Sequence, residues 1–257
     1  MILFDQIVYG PVHSRRLGMS LGINLSPADG KRCTFDCLYC ECGLNAERKP
    51  LLRPPSREEV KTALSGKLSH LKSQGICPDR ITFSGNGEPT MHVDFPAIIE
   101  DTLTIRDELC PTAKVAVLSN STMLHQTGIV RALDRIDEKL MKLDAATDEL
   151  IGLIDQPVQH DFNARKAIEI LRLFDGKLTV QTMFLKGEYK GVYFDNTCDE
   201  NIDLWIEALR AIHPEMVMIY TISRETPVKT LRKIPLSKLQ EIADSIKNAG
   251  FQVVVAG

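Results

Sequence analysis

The sequence predicts an α/β protein built as a partial (βα)6 TIM-like barrel, and three observations lead there. Short apolar runs rich in β-branched residues stand at 21–25, 80–84, 114–118, 139–143, 178–184 and 216–221. Amphipathic helical segments lie between or after them, and that alternation implies parallel strands joined by right-handed crossovers. The chain has 257 residues, a length at which a βα barrel commonly forms one domain. The unusual polar residues all fall at C-terminal strand ends, the face on which such barrels assemble active sites.

Residues 1–20 read as an N-terminal extension ahead of the strand at 21–25. Pro50, Pro54 and Pro55 are too few to separate domains and lead into a helix at 57–73. Its start carries the capping-box pattern Ser56-Arg57-Glu58-Glu59. Further helical patterns cover 94–109, 124–134, 163–174, 200–212 and 236–249, one after each later strand. Residues 251–257 read as an added C-terminal strand, so the barrel core spans 21–250 and the chain 1–257 reads as one domain.

Hydrophobic residues make up 44% and charged residues 25%, proportions of a soluble globular chain. A net charge of -3 argues against a protein that coats nucleic acid through bulk charge. Seven cysteines, an odd number, argue against a complete disulfide framework and for a reducing compartment. The N-terminus lacks the basic and apolar regions of a signal peptide. No apolar run reaches the roughly 20 residues that span a bilayer, so the expectation is a cytoplasmic protein with no membrane partner.

Cys33, Cys37 and Cys40 stand at C-x3-C-x2-C spacing. An iron–sulfur cube usually takes four thiolates, so a group of three leaves one iron open to a small molecule. Zinc is the rival, although a structural zinc site wants four closed ligands. Cys42 is too close to Cys40 for both to chelate one ion and reads as a bystander. Cys77, Cys110 and Cys198 are scattered and read as small core or surface residues.

Gly85-Asn86-Gly87-Glu88 follows the second strand. Its glycines permit close backbone approach and its carboxylate can accept an ammonium, with a plain tight turn as the alternative. Ser119, Asn120 and Ser121 suit ribose hydroxyls or a carboxylate, or cap the next helix. Lys142 and Asp144 point the same way along a strand, for a site or for a salt bridge. Gln181 brings an amide to an apolar strand end, and Tyr220 and Arg224 are placed likewise, although Arg224 could pair with Glu225. Arg15, Arg16, Lys31, Arg32, Arg48, Lys49 and Arg53 give a basic bias around the cysteines. That bias reads as a solvated face, with a phosphate-bearing substrate or RNA as the functional alternative.

Taken together these residues resemble the radical S-adenosylmethionine (radical SAM) superfamily. Tyr39 supplies the aromatic residue that usually precedes the third cysteine, and Gly85-Asn86-Gly87-Glu88 looks like the family's glycine–glycine–glutamate motif with Asn86 inserted. The stretch from Gly10 to Asn24 and Lys142-Leu143-Asp144-Ala145 are similar to a subgroup of wyosine-synthase-related iron–sulfur oxidoreductases. The second cysteine set of tRNA wyosine synthases is not seen, which sets the chain apart from true wyosine synthesis.

The resemblance implies that Cys33, Cys37 and Cys40 hold three irons of a [4Fe–4S] cluster while S-adenosylmethionine chelates the fourth. It implies reductive cleavage to methionine and a 5′-deoxyadenosyl radical that takes hydrogen from a substrate, fed by an electron donor such as flavodoxin or ferredoxin. Gly85, Gly87 and Glu88 would bind the methionine amine. Ser119, Asn120 and Gln181 would bind the ribose or carboxylate, with Tyr39 near the adenine. Lys142, Asp144 and Tyr220 complete the cofactor-binding candidates, and no catalytic residue is assigned. The substrate could be a small molecule, protein or RNA. A glycyl-radical-enzyme activase is the rival enzyme, and a zinc-stabilised RNA-binding module the rival of another class.

Overall fold

The computed structural model describes residues 2–14 and 18–256; Arg15 and Arg16 of the expected basic group lie outside the described residues. The chain runs through β1 (Val8–Ser14), β2 (Gly18–Ile23), α1 (Arg57–Ser73), β3 (Arg80–Phe83), α2 (Phe95–Leu109) and β4 (Lys114–Ser119). It continues through α3 (Thr127–Leu133), β5 (Glu138–Lys142), α4 (Asp148–Ile154), α5 (Ala164–Leu171), β6 (Thr179–Tyr189) and β7 (Val192–Asp195). The last elements are α6 (Asp199–Ile212), β8 (Met216–Thr221), β9 (Arg232–Lys233), α7 (Leu236–Asn248) and β10 (Val253–Ala256). No described helix is long and apolar enough to cross a membrane.

The strands bond in the order β1-β2-β3-β4-β5-β6-β8-β10. The first pair is antiparallel, and every later neighbour in that row is parallel. Six of the parallel strands are the six that the apolar runs predict, and β10 is the added one. Among the described residues no pairing joins β1 to β10, so the curled sheet is a half-barrel.

Helices form where the pattern demands. Ser56 caps α1 by accepting from Glu59 N at 3.3 Å, while Ser56 N donates to Glu59 Oε2 at 2.7 Å, the reciprocal box the sequence predicts. Val60, Leu64, Leu68 and Leu71 then bury one stripe of the helix. On α6, Trp205 is fully buried, stacks edge-on against Phe184 of β6, and its Nε1 donates to Leu143 O at 3.0 Å.

The sheet has a core on each face. The larger lies between strands and helices; the smaller, Ala116, Leu140 and Met218 with Leu118, fills the half-barrel's lumen from alternate positions on β4, β5 and β8. At the N-terminal strand ends Arg80 Nε meets Glu138 Oε2 at 2.6 Å and Lys114 Nζ meets Glu138 Oε1 at 3.3 Å, a charged trio beneath that apolar layer. The opposite rim is left for chemistry.

Four features depart from expectation. The N-terminal extension carries a true edge strand, β1. Helix α4 occupies only seven residues behind a Thr147 cap, too short to show a period. Strand β6 outruns its apolar stretch to pair with β7 and β9. Cys77 and Cys110, expected as unrelated residues, come together in a disulfide with Cα atoms 5.9 Å apart.

Candidate functional site

The cysteine loop and the glycine loop are joined backbone to backbone. Arg32 N donates to Asn86 O at 2.9 Å and Glu88 N donates to Arg32 O at 3.0 Å, one residue before Cys33. Gly85 and Gly87 have φ of +145° and +154°, and a Cβ on Gly87 would strike the Arg32 carbonyl. Asn86, which the sequence reading treated as an insertion, is fully buried. Its amide bonds Phe4 N at 2.8 Å, Phe4 O at 2.8 Å and Pro27 O at 3.0 Å, tying the N-terminal segment to the site.

The three thiols share that loop. Cys33 Sγ receives Phe35 N at 3.5 Å and Asn120 Nδ2 at 3.7 Å. Cys37 Sγ lies 3.5 Å from Asp155 Oδ1. Burial pushes the Cys33 thiol up to about 12 and Cys37 well above the usual range, whereas the hydrogen bond from Cys42 pulls Cys40 down to about 6. Cys42, expected as a bystander, lies beside Cys40 with its sulfur 3.3 Å from Gly85 O. Cys198 is exposed elsewhere.

Glu88 is the hub of the second and third loops. Its Oε1 accepts from Thr90 N at 3.1 Å, Thr90 Oγ1 at 2.5 Å and Ser119 Oγ at 2.8 Å, and its Oε2 from Asn120 N at 2.8 Å. Burial raises its carboxyl while these donors pull it back. Its spare acceptor capacity is at Oε2. Ser121 N donates to Ser119 Oγ at 3.0 Å, and Asn120 Oδ1 accepts from Thr122 N at 3.1 Å. None of the three caps a helix, because the residue before α3 is Gln126 and makes no side-chain cap bond.

The fourth cluster is a buried charge network. Lys142 Nζ lies 2.9 Å from Asp144 Oδ2 and 3.5 Å from Asp155 Oδ1, and also meets the Tyr39 hydroxyl, which donates to Asp144. Burial opposes the ammonium, but Asp144, Cys37, Tyr39 and Asp155 hold it protonated well above the usual lysine range. Asp144 Oδ1 accepts from Met183 N at 2.9 Å, locking the carboxylate to β6. Tyr39, expected beside an adenine, thus has its hydroxyl committed inward and the Lys142 ammonium 4.6 Å from its ring centre.

Gln181 is buried and donates to Leu140 O at 3.2 Å, a bond within the half-barrel. Tyr220 is buried at the end of β8. Arg224 bonds Glu41 Oε2 at 2.5 Å rather than Glu225, tying the loop after β8 to the cysteine loop. Lys31 departs from the solvated reading, being only 4% exposed. Arg32 and Arg48 are half-buried, and Lys49 and Arg53 are exposed.

No three described His, Cys, Asp or Glu side chains gather closely enough around one point to hold a single metal ion. A closed zinc site needs that convergence. The three thiols nevertheless sit on one loop. Sulfurs spread over one loop, with amide donors aimed at Cys33, suit the corners of an iron–sulfur cluster better than one ion.

The Radical SAM superfamily description matches residues 29–191, which hold all of these clusters except Tyr220 and Arg224. The chain belongs to the radical SAM superfamily. A UPF0026 protein of Helicobacter pylori is 32% identical over 227 residues, 87% of this chain and 68% of that protein. Among solved structures, Streptococcus suis SuiB bound to S-adenosylmethionine superposes with a TM-score of 0.65 at 14% identity, over 92% of this chain and 50% of SuiB. The radical SAM chain thus spans half the length of SuiB. TYW1 with a lysine-pyruvate adduct superposes at 0.58 with 12% identity, over 89% of this chain and 73% of that one. At such identities the likeness is one of fold.

Sequence reasoning reached the cysteines and the two glycines but missed Asn24, Thr90 and Asp155. Asn24 Oδ1 accepts from Ser26 N at 3.1 Å and Asn86 N at 3.1 Å, holding both loops. Its one signal is a polar residue directly after an apolar strand.

Proposed function

We propose that this radical SAM enzyme binds a [4Fe–4S] cluster through Cys33, Cys37 and Cys40 and cleaves S-adenosylmethionine reductively beside it. The observation that carries the reading is the cysteine loop clasped by the glycine loop through the Arg32 backbone, so that thiol ligands and the Gly85–Glu88 backbone share one rim. Held by Cys33, Cys37 and Cys40, the cluster would supply the electron for reductive cleavage of S-adenosylmethionine to methionine and a 5′-deoxyadenosyl radical.

The chain's own residues bind, orient and exclude water. Asn120 Nδ2 and Phe35 N would stabilise the Cys33 thiolate. Gly85, Gly87 and the spare lone pair of Glu88 Oε2 would receive the methionine amine, and Ser119, Asn120 and Gln181 line the neighbouring rim. Lys142, clamped by Asp144 and Asp155, presents a fixed positive charge and an already satisfied Tyr39 rather than a free amine. Its protonated state argues against a nucleophilic role. Five cysteines outside the Cys77–Cys110 pair support a reducing, cytoplasmic setting with a flavodoxin- or ferredoxin-type donor.

Anaerobic reconstitution should give about four irons per chain with broad charge-transfer absorbance. With a strong reductant the loaded protein should convert S-adenosylmethionine to 5′-deoxyadenosine. Stoichiometric zinc without that absorbance would overturn the proposal. Deuterium transfer into 5′-deoxyadenosine from fractionated, labelled extract would identify the substrate.

A further inference from the structure

Lys31 is buried inside the cysteine loop. Its ammonium donates to Asp36 Oδ1 at 3.1 Å and to Gly43 O at 3.0 Å, while its backbone N donates to Arg48 O at 2.6 Å. Asp36 immediately precedes Cys37, and Gly43 immediately follows Cys42, so the two acceptors bracket Cys37, Cys40 and Cys42. A lysine in this stretch could reach water at little cost. Here its side chain is 1% exposed.

Burial works against the Lys31 charge, and among the described residues Asp36 is the carboxylate its ammonium meets. The carboxylate of Asp36 also accepts from Asn45 N at 2.7 Å and is itself 25% exposed, so water screens part of its charge. The other cation near the thiols, Lys142, lies 2.9 Å from the fully buried carboxylate of Asp144, where water screens none of the opposing charge. Lys31 therefore brings the less compensated positive charge to the cysteines.

We propose that Lys31 is a positioning residue that sets the reduction potential of the metal cluster held by Cys33, Cys37 and Cys40, with Asp36 as its opposing partner. The inference rests on the cluster reading above. Adding one electron makes the site more negative. A fixed cation in a medium of low polarity favours that state, and a carboxylate disfavours it. The two side chains touch each other but push the potential in opposite directions. A purely structural pair would not do so.

The test is a potentiometric titration, read by electron paramagnetic resonance, of the anaerobically reconstituted full chain. Lys31→Met should weaken the cluster's hold on an electron about tenfold or more, a fall of about 59 mV for a one-electron couple. Asp36→Asn should raise the potential, and Lys31→Arg should stay near wild type. Shifts of the same sign in Lys31→Met and Asp36→Asn, or no shift in either, overturn the proposal. If Lys31→Met binds no iron, the sign of the Asp36→Asn shift decides alone. A wild-type chain that binds no iron refutes the cluster reading instead.

Discussion

Glu88→Gln is nearly isosteric and tests the hub that joins the second and third loops. The wild-type carboxylate accepts four hydrogen bonds, three at Oε1 and one at Oε2. An amide has a single acceptor oxygen, and it loses least by keeping that oxygen among the three donors. Its NH2 then faces Asn120 N–H, donor against donor. Losing one bond to a buried charged acceptor costs about 1.5–3 kcal/mol, and the other three weaken toward neutral strength. Part of this is offset because the amide is easier to bury, leaving about 3 kcal/mol, roughly a hundredfold in the folding equilibrium. Urea unfolding of the metal-free protein should show the loss as a lower midpoint at an unchanged slope. Ser119→Ala, which removes one of the four donors, should cost about 1 kcal/mol. A Glu88→Gln change below about 1 kcal/mol would refute the idea that these four hydrogen bonds hold the two loops together.

Gly87→Ala combines strain at φ +154° with a collision at the Arg32 carbonyl, so it should lose at least about 3 kcal/mol in the same assay or fail to fold. Cys37→Ala should abolish iron binding, whereas Cys42→Ala should retain most of it, as measured by iron content after reconstitution. Trp205→Phe leaves the buried Leu143 carbonyl with one donor fewer and should lower stability by about 1–3 kcal/mol in thermal or urea unfolding. Arg224→Ala removes an exposed ion pair to Glu41, and its stability effect should stay within about 1 kcal/mol and vanish at high salt.

The barrel strands were legible because their middles are buried on both faces, which leaves an unbroken apolar run such as 115–118 in β4. The end of β6 was not, because Lys186, Gly187 and Glu188 break that run where the strand leaves the barrel. Residue types gathered the candidates at one rim, yet they carry no information on where side chains turn. Ser119 and Asn120 look free to greet a ligand, but the fold spends the Ser119 hydroxyl on Glu88 and turns the Asn120 amide toward Cys33 and Thr34. Lys31 looks like a surface cation because its acceptors, a loop carbonyl and Asp36, are assembled by a chain path with no periodicity to read.

The joint between Arg32 and the Asn86–Glu88 backbone bears on how metal enters. Small zinc domains gain their fold from the metal because nothing else arranges their ligands. In this protein the ligand-bearing loop is moulded in advance by ordinary peptide hydrogen bonds to its neighbour. The entropy of bringing three thiols together is then settled when the chain folds. On the proposed cluster reading, loading would be an insertion into a loop already folded, governed by proton release from Cys33 and Cys37 and by access from the rim. Emptying the loop should leave the barrel standing.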